Sequence, residues 1–407
     1  MTSSNLNEKL NRFSSLIGGA KSPADKESKH PRRYRTLAER LGGKIIDHHA
    51  GGYCLVRRLY PGNYRHGDHL LADLIGDRTL PMSAFTPLDE PGEVRLRDLL
   101  FFDTETTGLG GAGVVPFLIG CGGFVDGGFE VRQYVIPDYS DEAAMLEALL
   151  EELTEPRVVV SYNGRAFDLP IVQDRMIVNR VARKVPIGGH LDLLHAGRRL
   201  YRRRLSDCSL TNIEREIFGF YREDDIPGFL IPSIYFDWLS EEKLDQMESV
   251  LEHNRLDIVS LAFLAVHLAE IFESEGSDLC EPEDIHSLAR VYGRRKDNEL
   301  VTRLYDRIEQ ASGHQPEDDM VLYHALGFKR VGDWKRAVEL WQSLANKKNR
   351  QAWAANIELA KYYEHRAGQL DLALEHTNRA ADQDQLTQCQ QEQTRERRKR
   401  LENKLNR

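Results

Sequence analysis

Cysteine is scarce in this 407-residue chain: Cys54, Cys121, Cys208, Cys280 and Cys389 are all there is. They are odd in number, far apart and form no Cys-x-x-Cys pair, which argues against a disulfide framework and a zinc ribbon. Long apolar runs are missing too. No stretch approaches the ~18 residues that a membrane span needs. The opening residues, Met1 to Asn5, lack the apolar core of a signal peptide. The expectation is a cytoplasmic protein with no membrane partner. Nor is there an excess of positive charge: 55 Lys and Arg face 64 Asp and Glu, a formal net charge of -9. That argues against a broad basic footprint for duplex nucleic acid. It leaves room for local basic patches and for a site that binds cations. With 41% hydrophobic and 29% charged residues, the length suits two or three globular domains.

What is present centres on Leu99 to Gly108. Four apolar residues, Leu99 to Phe102, run straight into Asp103 and Glu105. The apolar run predicts a buried strand. Side chains two apart on a strand share a face, so Asp103 and Glu105 aim together. Two carboxylates there repel and lose hydration unless a cation lies between them. A strand that merely ends in polar residues explains a lone Asp-x-Glu equally well, so the pair needs ligands from elsewhere.

Residues 1–35 read as a polar arm with a short helix near Leu10 to Ile17, and Arg32, Arg33 and Arg35 read as solvated. Residues 36–95 read as an accessory lead-in. Strands are predicted at Lys44–Ile46 and Tyr53–Val56, and a turn at Pro61 to Asn63. His48, His49, His66 and His69 do not have the spacings of a tetrahedral zinc site. Gly108 to Gly113 matches Gly-x-Gly-x-x-Gly. The dinucleotide reading requires a helix next, whereas the β-branched Val114 to Phe124 predicts a strand. Gly127-Gly128 then marks a hairpin into Glu130 to Ile136. Helical spacing follows over Asp141 to Leu153. A buried strand at Val158 to Ser161 ends in Tyr162-Asn163-Gly164-Arg165-Ala166-Phe167-Asp168, and a helix is expected over Leu169 to Val181. The order β-β-β-α-β-α gives an α/β domain with a mixed sheet, three antiparallel strands first and β-α units after.

Asp192 lies where another short element begins. Arg198, Arg199, Arg202, Arg203 and Arg204 follow, a patch that suits either phosphate or plain solvent. Ser209 to Phe218 reads as helix and Asp224 to Gly228 as loop. Within a long predicted helix, Leu244 to Phe272, the residues Val250, His253, Asp257, Leu261 and Leu264 form one stripe. An Asp on a core-facing stripe is costly unless paired or bound to metal. Asp103, Glu105, Asp168 and Asp257 thus make a set of four carboxylates on three elements. Oxygen-rich sites suit hard divalent ions rather than zinc.

Three segments carry a resemblance. Phe102 to Thr106, Tyr162 to Asp168 and His253-Asn254-Arg255-Leu256-Asp257 are similar, in order, to the three motifs of the DEDD 3′→5′ exonucleases. Thr106 to Leu109 and Pro116 to Gly120 bring the YprB-type ribonuclease-H-like domain closer still. The resemblance covers Leu96 to Phe272, within a domain set at 96–275. It implies a ribonuclease-H-like fold and a two-metal hydrolysis of phosphodiester bonds at a nucleic-acid 3′ end. Two Mg²⁺ or Mn²⁺ ions are implied on Asp103, Glu105, Asp168 and Asp257, with His253 steering the attacking water. Thr106, Leu109, Asn163, Phe167, Arg199 and Arg203 are the expected substrate contacts. The third motif departs from the family pattern, usually Tyr-x₃-Asp or His-x₄-Asp: His253 is separated from Asp257 by three residues, where a histidine is usually separated by four. A non-catalytic nucleic-acid-binding scaffold and an endonuclease on the same fold are the alternatives.

Beyond the domain, Gly332-x₄-Ala337 and Gly368-x₄-Ala373 recur at equal offsets. Helix pairs are expected at Met320–Ala345 and Ala352–Ala380, with a degenerate third pair over Ile285–Ile308. Residues 284–382 resemble tetratricopeptide repeats, an all-α module that implies a protein partner. Residues 383–407 read as a basic helical tail, suited to nucleic acid or to solvent.

Overall fold

The computed structural model describes residues 30–86, 92–108, 113–153, 157–310, 316–384 and 386–407. Leu109 and the helix expected near Leu10 lie outside them. The chain divides into two compact units. The first comprises the described residues up to Arg78, with Arg95–Asp192 and Glu214–Phe263; the second comprises Thr79–Val94, Leu193–Ile213 and Leu264–Arg407.

The first unit begins with helix α1 (His30–Leu41), so residues 30–35 are helical rather than part of an arm. Arg33 is packed rather than solvated: its guanidinium lies 4.8 Å from the centre of the Trp238 ring and donates to the Trp238 carbonyl at 3.1 Å. Strands β1 (Lys44–His48) and β2 (Gly51–Pro61) follow. Next come β3 (Leu99–Thr106), β4 (Pro116–Val125) and β5 (Gly128–Val135). Helix α2 (Glu142–Glu152), β6 (Val158–Ser161), α3 (Asp168–Val178) and β7 (Gly189–Asp192) complete the β-α part. One sheet holds all seven strands in the order β1-β2-β5-β4-β3-β6-β7. Pairing is antiparallel from β1 to β3, and parallel from β3 to β6 to β7. This is the expected mixed sheet, with β1, β2 and β7 joining the four strands of the β-β-β-α-β-α order. The lead-in is not peripheral, because β2 pairs with β5 along eight residues, from Cys54 against Val135 to Pro61 against Gly128.

Strand alternation decides where the carboxylates go. Leu100 and Phe102 point into a core with Phe117, Met145, Leu149, Val172, Tyr235 and Trp238. Phe101, Asp103 and Glu105 take the opposite face. Phe101 meets Phe124 and Phe129 there, at ring centroid distances of 6.0 and 5.5 Å. Helix α7 (Met247–Glu273) covers this second face. Its close approach depends on glycine in β4. A Cβ on Gly120 would stand 2.3 Å from Asn254 Oδ1 and from Ile258 Cδ1, and one on Gly122 2.4 Å from Ile258 Cγ2. Since Gly120 is the register partner of Asp103, the same glycine that admits the helix brings Asn254 and its neighbours onto the carboxylates.

After β7 come α4 (Leu193–Tyr201), which carries Arg198 and Arg199, then Arg202, Arg203 and Arg204 beyond its end, and α5 (Leu210–Phe218). Six helices pair as antiparallel neighbours along the chain: α8 (Pro282–Arg294) with α9 (Asn298–Gln310), α10 (Asp318–Val331) with α11 (Trp334–Ala345), and α12 (Arg350–Tyr362) with α13 (Leu370–Ala381). Gly332 closes α10 with φ of +87°, and Gly368 closes the π-helical turn Tyr363–Ala367 that follows α12 with φ of +67°, a conformation glycine adopts without strain. Trp341 is fully buried among Tyr305, Phe328, Ala355 and Leu359.

The basic tail is ordered as α14 (Gln388–Leu405). Arg397, Arg400 and Lys404 bind the buried carboxylate of Glu364, each at 2.8 Å, in place of nucleic acid or solvent. Among the described residues, no helix is long and apolar enough to cross a membrane.

Candidate active site

Asp103 and Glu105 leave β3 side by side on the face covered by α7. Asn254 donates to Asp103 Oδ2 at 2.8 Å, and its own carbonyl accepts from Gln133 Nε2 at 2.8 Å, with Gln133 also donating to the Leu251 carbonyl. The buried amide pair therefore fixes both Asn254 and the carboxylate it serves. Asp168 opens α3. Its Oδ1 accepts from Thr104 Oγ1 at 2.5 Å and from the Thr104 backbone N–H at 3.2 Å, which ties the second motif to the strand of the first.

The loop before Asp168 is held from below. Asn163 adopts a left-handed φ of +66°, and Asp192 at the end of β7 accepts from the N–H groups of Asn163 (2.8 Å) and Arg165 (3.2 Å). Gly164 sits tightly here: a Cβ would stand 2.4 Å from Ser161 Oγ and 3.1 Å from Asp168 Oδ2.

Asp257 comes from α7, one turn beyond His253. The predicted stripe is present, with Val250, Leu261 and Leu264 buried and the two polar members partly open. Burial and mutual charge act together on these carboxylates. Asp103 is held well above the usual carboxylate range by burial first, then by the charges of Asp257, Asp168 and Glu105. Glu105 is held well above it by burial, then by Asp257, Asp168 and Asp225. Asp168 is raised by burial and by Asp257, against the opposing hydrogen bonds from Thr104. Negative charge is thus concentrated beyond what the neighbouring donors neutralise. An all-oxygen donor set of this kind fits a hard divalent cation.

Around Asp257 lies a second layer. Arg222, only 4% exposed, is held by the buried Glu214 through Nε (2.7 Å) and Nη2 (2.6 Å). It also donates to Asp257 Oδ1 and, at 3.3 Å, to Asp225 Oδ2. His253 Nδ1 lies 2.7 Å from Asp225 Oδ1, and its Nε2 lies 3.8 Å from Asp257 Oδ2. Ser260 hydrogen-bonds Glu214 and His66 Nε2, the latter at 3.0 Å. His66 is enclosed by the rings of Phe220 and Phe263 at 3.9 and 4.9 Å.

A model of the RNase_H superfamily matches residues 100–269. Over 329 residues the chain is 34% identical to the uncharacterized protein YprB of Bacillus subtilis (strain 168), covering 79% of each. The chain belongs to the YprB family.

In this YprB-family chain the other expected contacts divide. Phe167 stands half-exposed beside Asp168, and Thr106 Oγ1 donates to the Gly108 carbonyl at 2.7 Å. Arg199 and Arg203 are spent elsewhere. Arg199 donates to the Phe85 and Thr86 carbonyls at 2.9 and 2.5 Å; Arg203 binds Asp319 at 2.7 and 2.8 Å and also Glu317. Arg204 binds Asp284 at 2.8 Å. These guanidinium groups staple the second unit to itself, so the patch reading gives way for all three.

Among the early histidines, His48 and His49 each bring Nε2 to 3.4 Å from Glu147 Oε2. His48 Nδ1 accepts from the Ala50 N–H at 3.3 Å. Sequence reasoning gave no role to Thr104, Asn254, Asp192, Arg222 and Asp225, although Thr104 lies inside the first motif and Asn254 inside the third.

Proposed function

We propose that this protein is a two-metal-ion 3′→5′ exonuclease acting on single-stranded ends of DNA or RNA. The observation that carries the reading is the gathering of buried Asp103, Glu105 and Asp168 around the strand of the first motif, with Asp257 acting on all three: burial first, and then like charge, raises each of the three above its usual value. Such a set is stable in its ionised form only with a cation among its members. These four residues would hold Mg²⁺ or Mn²⁺, which when bound supply charge neutralisation at the attacking and leaving oxygens of the phosphodiester.

The chain's own groups do the rest. Asn254 and Thr104 keep Asp103 and Asp168 aimed, Arg222 occupies one oxygen of Asp257 and leaves the other free, and His253 Nε2 orients the attacking water. Phe167 offers an exposed ring on which a terminal base can stack. The helix pairs of the second unit support a tetratricopeptide-like module that binds a protein partner.

The test is a 3′-labelled against 5′-labelled single-strand assay on DNA and RNA, with Mn²⁺ and with EDTA, beside Asp103→Ala. Stepwise shortening of 5′-labelled strand from its 3′ end, dependent on metal and absent in the variant, is expected. Internal products would make it an endonuclease. Binding without products would make it a scaffold.

A further inference from the structure

The shortened third motif raises a question that the loop before α6 (Ile231–Glu241) answers. We propose that Asp225 is a positioning residue: it accepts the Nδ1–H of His253 and so holds the imidazole with Nε2 toward the carboxylate site. This deepens the exonuclease reading and rests on it.

Asp225 is surrounded by donors. Arg222 Nη1 approaches Oδ2 at 3.3 Å, and the Ile226 N–H donates to Oδ1 at 3.0 Å. An ionised carboxylate only accepts hydrogen bonds. The 2.7 Å contact with His253 Nδ1 therefore places the ring proton on Nδ1. In the neutral ring the other nitrogen, Nε2, is then a bare acceptor. It lies 3.8 Å from Asp257 Oδ2, too long for a direct hydrogen bond and on the side of the carboxylate site. A histidine on the same helix face as its Asp, one turn away, has its Cα position dictated by α7. What remains free is the ring's rotation, and Asp225 removes that freedom.

The loop itself is not free to drift. Arg222 joins Asp225 and Asp257 to the buried Glu214. Glu214 in turn accepts from Ser260 on α7. One guanidinium thus sets both partners of the third motif, fixing an oxygen of Asp257 and the carboxylate that orients His253. Asp225 also adds its charge to those acting on Glu105, which places it at the rim of the site and leaves one rival role, that of a fifth metal ligand.

The experiment compares wild type, Asp225→Asn and Asp225→Ala. The amide oxygen of Asn can still accept from Nδ1–H; Ala cannot. For Asp225→Ala, kcat on a single-stranded oligonucleotide with Mn²⁺ is expected to fall roughly 10–100-fold, with KM and calorimetric Mn²⁺ affinity unchanged. Asp225→Asn is expected to recover most of the loss. Independently of activity, ¹⁵N–¹H correlation of the metal-free wild-type protein should report the Nδ1–H tautomer at His253, and Asp225→Ala should shift it toward Nε2–H.

Loss of Mn²⁺ binding in Asp225→Ala would make Asp225 a ligand and overturn the proposal, as would an Nε2–H tautomer in wild type or an unchanged kcat. If wild type itself cleaves nothing, the exonuclease reading has failed. The tautomer measurement still decides whether Asp225 orients the ring.

Discussion

Two buried carboxylate clusters in this molecule are built on opposite principles. In the helical unit, Glu364 is a single carboxylate with Arg397, Arg400 and Lys404 on it. Burial pushes its pKa up, but the hydrogen bonds and charges of Arg400 and Lys404 override that and bring it down to about 2. In the first unit burial and mutual charge act together, and Asp103, Glu105 and Asp168 are all pushed the other way. The first cluster is complete as folded. The second keeps its carboxylates raised even with Arg222 on Asp257, the state that an added cation would relieve. A closed structural knot and a binding site are told apart by whether the protein supplies its own counter-charge.

The largest effect that would break this contrast is on catalysis. Asp103→Ala or Asp257→Ala should lower metal-dependent cleavage by about 10³-fold or more, since bound cations supply several kcal/mol of charge stabilisation and each 1.36 kcal/mol is a decade. Single-turnover assays at saturating Mn²⁺ check it. Near-normal rates in either variant would remove the carboxylate cluster from the chemistry.

Next comes the knot. Glu364→Ala strands three cations around a buried gap. A fully buried pair so broken costs about 3–5 kcal/mol, and with Arg400 and Lys404 half-exposed about 2–3 kcal/mol is expected. Hydrogen exchange should show α14 losing protection while the sheet keeps its own. In the same assay and without metal, Asp103→Asn should do the reverse, raising stability by about 1 kcal/mol, or ~2–4 °C, because it relieves repulsion. If both substitutions destabilise alike, the two clusters are not different in kind.

The pH dependence sharpens the same point. A carboxylate whose folded pKa is raised binds more protons folded than unfolded, so its contribution falls as pH rises from the ordinary carboxylate range through the folded value. In EDTA, the first unit should therefore lose stability as pH rises above the ordinary carboxylate range, relative to Asp103→Asn, and Mn²⁺ should cancel the difference. Glu364 has the opposite sign: its contribution is present above pH about 4.5 and lost as pH falls toward 2. Acid acts on the helical unit sooner through a third group. His286 and His324 are buried 3.1 Å apart. Burial first, and then Arg203 on His286 and His286 on His324, hold them down to about 4 and about 3. Their contribution is complete above pH about 6.5 and declines below it. Denaturant titrations at stepped pH separate the three groups.

What could be read from sequence follows from periodicity. Phe101, Asp103 and Glu105 were legible because a strand repeats every two residues, and Val250, His253, Asp257 and Leu261 because a helix repeats every 3.6. Both patterns report a shared face, and two shared faces imply a site. Arg222 and Asp225 sit in a loop with no repeat, so nothing in their spacing announces that both reach the third motif. The seven-strand sheet was only partly legible for a related reason. Strands near Lys44 and Tyr53 show themselves locally, but β2 pairing with β5 is a contact across some eighty residues that composition does not encode. Gly120 and Gly122 carried information that could not be used, since the helix they admit lies more than 130 residues away.

The smallest effect tests the one charge pattern that was read too generously. Five arginines within seven residues suggest a phosphate path, yet charge clustering alone says nothing about partners. Arg203 spends its donors on Asp319 and Glu317, and Arg199 on two backbone carbonyls. Arg203→Ala should therefore leave the salt dependence of single-strand binding unchanged, since a lost phosphate contact would lower the slope of log K against log salt by about 0.7. Its cost should appear in stability instead. With Asp319 and Glu317 largely open to water, the loss is held to about 0.5–1 kcal/mol. Arg199→Ala should cost more than Arg203→Ala, because it takes the guanidinium donors from the Phe85 and Thr86 carbonyls, the latter keeping the contact from Arg295 at 3.5 Å. A reduced salt slope with unchanged stability in either variant would return these arginines to the nucleic acid, and would mean that a folded ion pair can open to take up a phosphate.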